Sequence, residues 1–367
     1  MVFKHQIIAT LILFISVFQI ACTEEPVEDT QAIPPVADLA EVPYRKLSEY
    51  HFFKGEISDL QAQEGVLPYD LNTPLFSDYA HKARFIYLPE GKQINYTALE
   101  SLDFPVGTVL IKNFFYHNDE RDPSKGKRII ETRLLIHQED GWNAYPYLWN
   151  DGQTDADYWV GGFQTEVSWV DQNGEEQVIN YQMPNKNDCK GCHVIDNILH
   201  PIGPKARNLN GNYPYADGSQ NQLLKLKEMG WLNGMPALSE VDKAAKWDDT
   251  SELLEDRARA YLDVNCGHCH RPNAPANNSG LFLYHQETDD NNLGLCKVPV
   301  AAGSGSGGLK FDIVPGEPEN SILPYRMNST NIEVMMPELG RTVVHKEGVE
   351  LIENWIRNME NRGCNAQ

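Results

Sequence analysis

Seven cysteines are spread unevenly along the 367-residue chain, and four of them fall into two copies of one pattern. The copies are Cys189-Lys190-Gly191-Cys192-His193 and Cys266-Gly267-His268-Cys269-His270. Two thiols three positions apart, with histidine directly after the second, form the pentapeptide that holds a c-type haem. The thiols add to the two vinyl groups, and the imidazole lies under the iron. Cys-x-x-Cys pairs also build tetrahedral zinc sites, and in a βαβ context they serve as thioredoxin-like redox pairs. Zinc does not require histidine after both second cysteines, and no clear βαβ pattern precedes either motif. The two copies therefore predict two covalently bound haem c groups. One is held by Cys189, Cys192 and His193, the other by Cys266, Cys269 and His270.

Each iron has a sixth position. Met335-Met336-Pro337 precedes the last helical pattern of the chain. A thioether there favours ferrous iron and raises its potential, so Met336 is the expected axial ligand of the second haem, with core packing the alternative for both methionines. For the first haem, His200, Met229 and Met235 are all candidates and none is singled out. His117 and His137 read as ordinary polar residues. An iron left open there would bind peroxide or another small ligand.

The N-terminus reads as an export signal. Lys4 and His5 precede an apolar run at 7–20, too short to span a bilayer comfortably but suited to a signal peptide. Ala21-Cys22 then resembles a lipobox, with Gln19 standing where a branched apolar residue is usual. The expectation is a signal peptide at 1–21, lipid on Cys22 and an acidic flexible tether at 22–43. Export agrees with c-type haem, which is attached outside the cytoplasm. In that oxidising setting Cys296 and Cys364, the remaining pair, read as a disulfide rather than as two buried free thiols. The formal charge is −21, from 31 basic and 52 acidic residues. Such a chain repels phosphate backbones, which excludes nucleic acid and anionic membrane surfaces as partners and leaves the lipid as the only membrane attachment. The expected location is the outer membrane, facing the periplasm or the cell surface.

The elements that position these residues follow from periodicity. Short runs at 83–89, 108–117, 128–137, 142–149 and 166–170 are rich in aromatic and β-branched residues and are bounded by turn formers. They predict a mostly-β domain at 44–183. A loop-rich first haem segment follows at 184–247, with a helix near 220–229. Apolar residues at helical spacing in 251–265 and 346–359 predict two helices of a small α-helical domain at 248–367, the first capped by Asp249 or Thr250. The whole reads as an α+β multidomain chain. Gly303, Gly305 and Gly308 formally match G-x-G-x-x-G, but a strand-like segment follows instead of a helix, so no dinucleotide site is expected.

Several stretches carry a resemblance: Glu131-Thr-Arg-Leu-Leu, Pro201-Ile-Gly-Pro-Lys-Ala-Arg-Asn-Leu-Asn, 257–272 around the second motif, Ile313-Val-Pro-Gly-Glu-Pro-Glu-Asn-Ser-Ile-Leu and Met336-Pro-Glu-Leu-Gly-Arg. Through them the chain resembles an uncharacterised family of bacterial di-haem c-type cytochromes, predicted lipoproteins. Its last third is similar to the class I cytochrome c-like domains attached to quinoproteins and other periplasmic oxidoreductases. The resemblance implies haem binding and electron transfer between periplasmic or membrane redox proteins. Two other functions compete with this one. The first is a di-haem peroxidase-like enzyme reacting at an open first iron. The second is a β-domain binding module with the haems as relay.

Overall fold

Period-two alternation in the first half of the chain produces a single large sheet in the computed structural model, which describes residues 34–300, 302–361, 363 and 364. The expected signal peptide and Cys22 lie outside the described residues. Strands β1 (Val66–Tyr69), β2 (His81–Tyr87), β3 (Ile94–Asn95), β4 (Val109–His117), β5 (Lys127–Gln138), β6 (Gly141–Trp149) and β7 (Ala156–Tyr158) come first. All but β3 join an antiparallel six-stranded sheet in the order β1-β2-β4-β5-β6-β7. A separate hairpin follows, of β8 (Phe163–Val170) and β9 (Glu176–Met183). Then come α1 (Asp188–His193), β10 (Val194–Ile195), β11 (Ile198–Leu199), α2 (Ala206–Leu209), β12 (Asn212–Tyr215), β13 (Gly218–Asn221), α3 (Gln222–Glu228) and β14 (Leu232–Asn233). The chain ends with α4 (Leu254–Asn265), α5 (Ile322–Met327) and α6 (Lys346–Arg357).

Both faces of the sheet are covered, because successive strand residues point to opposite sides. Val109, Ile111, Phe85, Leu134, Ile136, Tyr145 and Tyr147 pack under the segment that contains Leu47, Tyr50 and Phe52. Ala37, Leu39 and Val42 join that cluster, so the stretch expected to be flexible tether is packed against the sheet from at least Ala37 onward. On the other face, Ile86 and Leu110 meet Leu209, Leu223 and Leu226. Phe114 and Tyr116 meet Val167, Trp169, Ile179 and Tyr181 of the hairpin. The register shift opposite Phe114 and Phe115 leaves Ile130 of β5 as the extra residue, so Ile129 joins the first cluster while Ile130 packs with the hairpin.

This architecture corrects the expected fold class. The described chain is mostly β and 21% helical, and no helical cytochrome c-like domain forms at 248–367. Helices do form close to the predicted positions, as α3, α4 and α6, and α4 packs on α6. The long interval between α4 and α6 is turn and bend, with α5 the one α-helix in it among the described residues. Gly303, Gly305, Gly307, Pro315, Pro318 and Pro337 break any helical or strand period there. The strand expected from Leu309 forms only isolated bridges, such as Phe311 with Ser321. The cap predicted at Asp249 or Thr250 moves to Leu253, whose side chain makes no capping hydrogen bond.

From Pro34 onward the described residues form one compact unit. Buried polar groups join its parts. The carboxylate of Asp78, 2% exposed, accepts from the Thr342 and Val343 backbone N–H groups at 2.6 and 3.0 Å. Asn265 Oδ1 accepts from the Phe76 N–H at 2.8 Å. Asp263 on α4, 2% exposed, pairs with Arg207 at 2.6 Å and with Lys205 at 3.3 Å. Burial alone would raise the Asp263 carboxyl, but the two cations outweigh that and hold it well below the usual carboxylate range.

Asp263→Asn would leave Lys205 and Arg207 buried without a counter-charge, at a cost of about 3–5 kcal/mol, measured by urea unfolding at neutral pH. Because the folded carboxyl is depressed, its contribution is present above the ordinary aspartate pKa and fades as pH falls. The variant and the parent should therefore converge only in strong acid. A loss at neutral pH no larger than that of an exposed ion pair would refute the role given to this triad.

Candidate functional site

The first motif is the short helix α1 itself, reached by a turn at the end of β9. Asn185 Oδ1 accepts from the N–H groups of Asn187 and Asp188, and Asp188 returns a bond to the Asn185 N–H, which fixes the start of the turn. The β10–β11 hairpin then folds back so that the His200 N–H donates to the His193 carbonyl at 2.7 Å. The second motif continues from α4. The N–H groups of Cys266 and Gly267 donate to Leu262 O at 2.8 Å, and His270 N–H donates to Cys266 O at 2.9 Å. Position 267 is restricted to glycine. A Cβ there would lie 2.8 Å from Asp263 O and from Tyr284 Cα, both backbone atoms.

Both predicted proximal histidines are oriented alike. His193 Nδ1 donates to His200 O at 2.8 Å, and His270 Nδ1 donates to Leu281 O at 3.2 Å. A carbonyl only accepts, so the proton sits on Nδ1 and the lone pair on Nε2. A backbone carbonyl orienting a metal-binding histidine sets this same tautomer. Burial pulls both imidazoles down to about 4, which keeps them neutral at physiological pH.

The fold brings the two motifs together. Cys269 Sγ lies 3.4 Å from Gly191 O. The ligand atoms of Cys192, His268 and Cys269 all fall within 4.8 Å of one another. The two thiols share a hydrogen bond, which pulls Cys192 down to about 4 and pushes Cys269 up. His268 Nδ1 donates to Val264 O at 3.1 Å, so its lone pair is also on Nε2.

Cys189, Cys192, His193, Cys266, His268 and Met336 line one mainly apolar cavity, about 1640 Å³ with its open mouth included. Side chains of the large sheet, among them Leu110, Leu135 and Pro146, form one wall. Paired thiols, neutral histidines with free Nε2 and a roomy apolar cavity are the donor set and surroundings that haem c attached at these positions requires. The residues of the first motif fit that group; of the second set, Cys266 and Met336 face the cavity, whereas Cys269 and His270 do not line it.

Of the other predicted residues, Met336 lines the cavity, whereas Met335 is buried elsewhere. His200, Met229 and Met235 do not line it. The His200 carbonyl supports His193 from behind, Met229 is exposed at the end of α3, and Met235 packs into an apolar cluster. His137 stacks on Trp142 and His117 lies beside His81, both outside the cavity. Cys296 and Cys364 form a disulfide. Gly303 opens a short 3-10 turn, with no helix for a phosphate to meet.

The sequence reading passed over His268, masked by its place inside a motif, and three cations on the cavity wall: Arg84, Lys112 and Arg133. Period-two alternation assigns such charges to a solvent face, so the sequence carried no signal for them. No helix among the described residues is long and apolar enough to cross a membrane.

Fold and site together define a mostly-β protein with two adjoining Cys-x-x-Cys-His sites. No family model matches the chain, and neither a curated protein nor a solved structure matches it.

Gly267→Ala is expected to destabilise the protein by about 1–3 kcal/mol through overpacking against backbone, read as a lower thermal midpoint. Gly161→Ala is the comparison: it is exposed, its φ is not positive, and a Cβ there meets Trp159 Nε1 only at an ordinary 3.8 Å, whereas Gly267 is buried. An equal loss in both would point to backbone conformation and not to crowding at 267.

Proposed function

We propose that this protein is an exported di-haem c-type cytochrome that passes electrons between redox partners of the cell envelope. The observation that carries the reading is the contact between the two motifs. Groups attached at Cys192 and Cys269 would have their nearest edges side by side, so an electron could cross between them without a mediator.

Bound haem supplies a one-electron iron couple whose potential depends on its axial ligands and burial. The chain does the rest. Cys189, Cys192, Cys266 and Cys269 anchor the groups, and His193 and His270 present Nε2 in a fixed tautomer. Met336 supplies a thioether for the second site. The sheet wall and the apolar lining exclude water. The acidic surface suits a basic redox partner, and a lipid on Cys22 would hold the protein near membrane oxidoreductases and raise their effective concentration. The resemblance to di-haem cytochromes points the same way.

One observation favours a second reading. Cys192, His268 and Cys269 could together hold a single metal ion such as zinc, with water in the fourth position. This would use two of the thiols that the haems require, so the two readings exclude each other.

The test is absorbance and intact mass of the full-length protein, expressed in a host that attaches c-type haem. Two covalent haems per chain, low-spin bands in both redox states and no change with carbon monoxide are the expected result. A carbon monoxide shift in half of the haem would make the first iron an open site and favour the peroxidase. One equivalent of zinc and no haem would replace the cytochrome with the metal site.

A further inference from the structure

The cavity wall holds a row of like charges that the sheet register makes exact neighbours. Arg84 on β2 stands opposite Lys112 on β4, and Lys112 stands opposite Arg133 on β5. All three line the cavity. Like charges directly opposite each other on one face weaken a sheet, so the row is not there for the stability of the strands.

The carboxylates nearby are too few to balance it. Asp70 takes one Arg84 nitrogen at 2.5 Å, while Arg84 Nη2 is buried without a partner in a side chain 4% exposed. Glu131 takes Arg133 through two hydrogen bonds, at 2.5 and 2.7 Å. Glu131 also accepts from the Tyr181 hydroxyl at 2.6 Å, which uses up that carboxylate. Lys112 stands between the two guanidiniums with no carboxylate partner among the described residues, its amine 4.7 Å from the centre of the Phe114 ring.

We propose that Arg84, Lys112 and Arg133 form a carboxylate-binding strip, and that its ligand is the pair of propionates of the haem attached at Cys189 and Cys192. The inference rests on the cytochrome reading and assigns one of its contacts. The row faces the cavity that the first motif enters. Two propionates would meet the unpartnered Arg84 nitrogen and the unmatched Lys112 amine. Burial and the flanking guanidiniums pull the Lys112 amine well below its ordinary pKa. An arriving carboxylate opposes that shift, so the anion and the charged amine favour each other.

The test compares the parent holoprotein with Lys112→Met and Arg84→Gln, with Lys112→Arg as the conservative control. Each is titrated potentiometrically with absorbance detection, and the propionate bending bands are followed by resonance Raman. The expected result is a lower midpoint and a shifted propionate band for one haem in both charge-removing variants. The other haem should be unchanged, Lys112→Arg should resemble the parent, and inorganic phosphate should not bind the parent in calorimetry. Both haems unchanged in both variants would overturn the proposal. Phosphate binding to the parent that Lys112→Met abolishes would assign the strip to a free oxyanion and overturn the propionate assignment. If the chain carries no haem, the cytochrome reading fails by itself and calorimetry then judges the strip alone. Phosphate binding lost in Lys112→Met would retain an anion site, and no binding would remove it.

Discussion

One buried carboxylate connects the two halves of the site. Asp263 lies on α4 just ahead of Cys266, and its partners Lys205 and Arg207 lie in the segment that follows the first motif. Charges removed from water cost several kcal/mol each unless their partners are well placed. The α4 segment and the Lys205–Arg207 segment therefore have one low-energy relation to each other. Asp263 also accepts from the His285 N–H at 3.0 Å, and Arg207 donates to Leu99 O at 2.6 Å, which extends the same constraint to two loops. A hydrophobic contact in its place could slide, whereas an ion triad of this kind fixes register, and the meeting of Cys192 with Cys269 depends on register.

The large sheet has a part in the site that its sequence does not announce. Its strands were legible from alternation alone, because Val109, Ile111, Leu134 and Ile136 mark one buried face without ambiguity. The opposite face carries Arg84, Lys112 and Arg133 among apolar neighbours, and alternation by itself assigns such residues to solvent. Only pairing across β2, β4 and β5 shows that they stand side by side facing a cavity. The β domain is thus a wall of the site, and its packing against 206–241 and against 342–343 argues against a detachable binding module.

The motifs were legible for the opposite reason. Cys-x-x-Cys-His is local, and its chemistry is set by spacing within five residues. The Nδ1 bonds to His200 O and Leu281 O were not legible, because a backbone carbonyl leaves no trace in residue identity. A helical C-terminal domain is suggested by the sequence because α4 and α6 have genuine amphipathic periods, while the long interval between them has none. Two helices at the ends of a segment set a boundary and say nothing about what fills it. His200, Met229 and Met235 are near the first motif along the chain but outside the cavity, and the wall that faces this motif comes from strands much earlier in the sequence.

The Cys296–Cys364 bond encloses a stretch of sequence separation 68 that contains α5, Met336 and α6. Closing a loop of that size removes about 4 kcal/mol of freedom from the unfolded chain in the entropic account. It also changes what partial unfolding can do. If α6 detaches from α4, its far end stays tethered beside Leu295 and Ile313, and Met336 stays within a short radius of the cavity. An opening at this end of the molecule is then a breathing motion with a built-in return path, and Met336 returns to the cavity wall at a rate set by a closed ring rather than by a free tail.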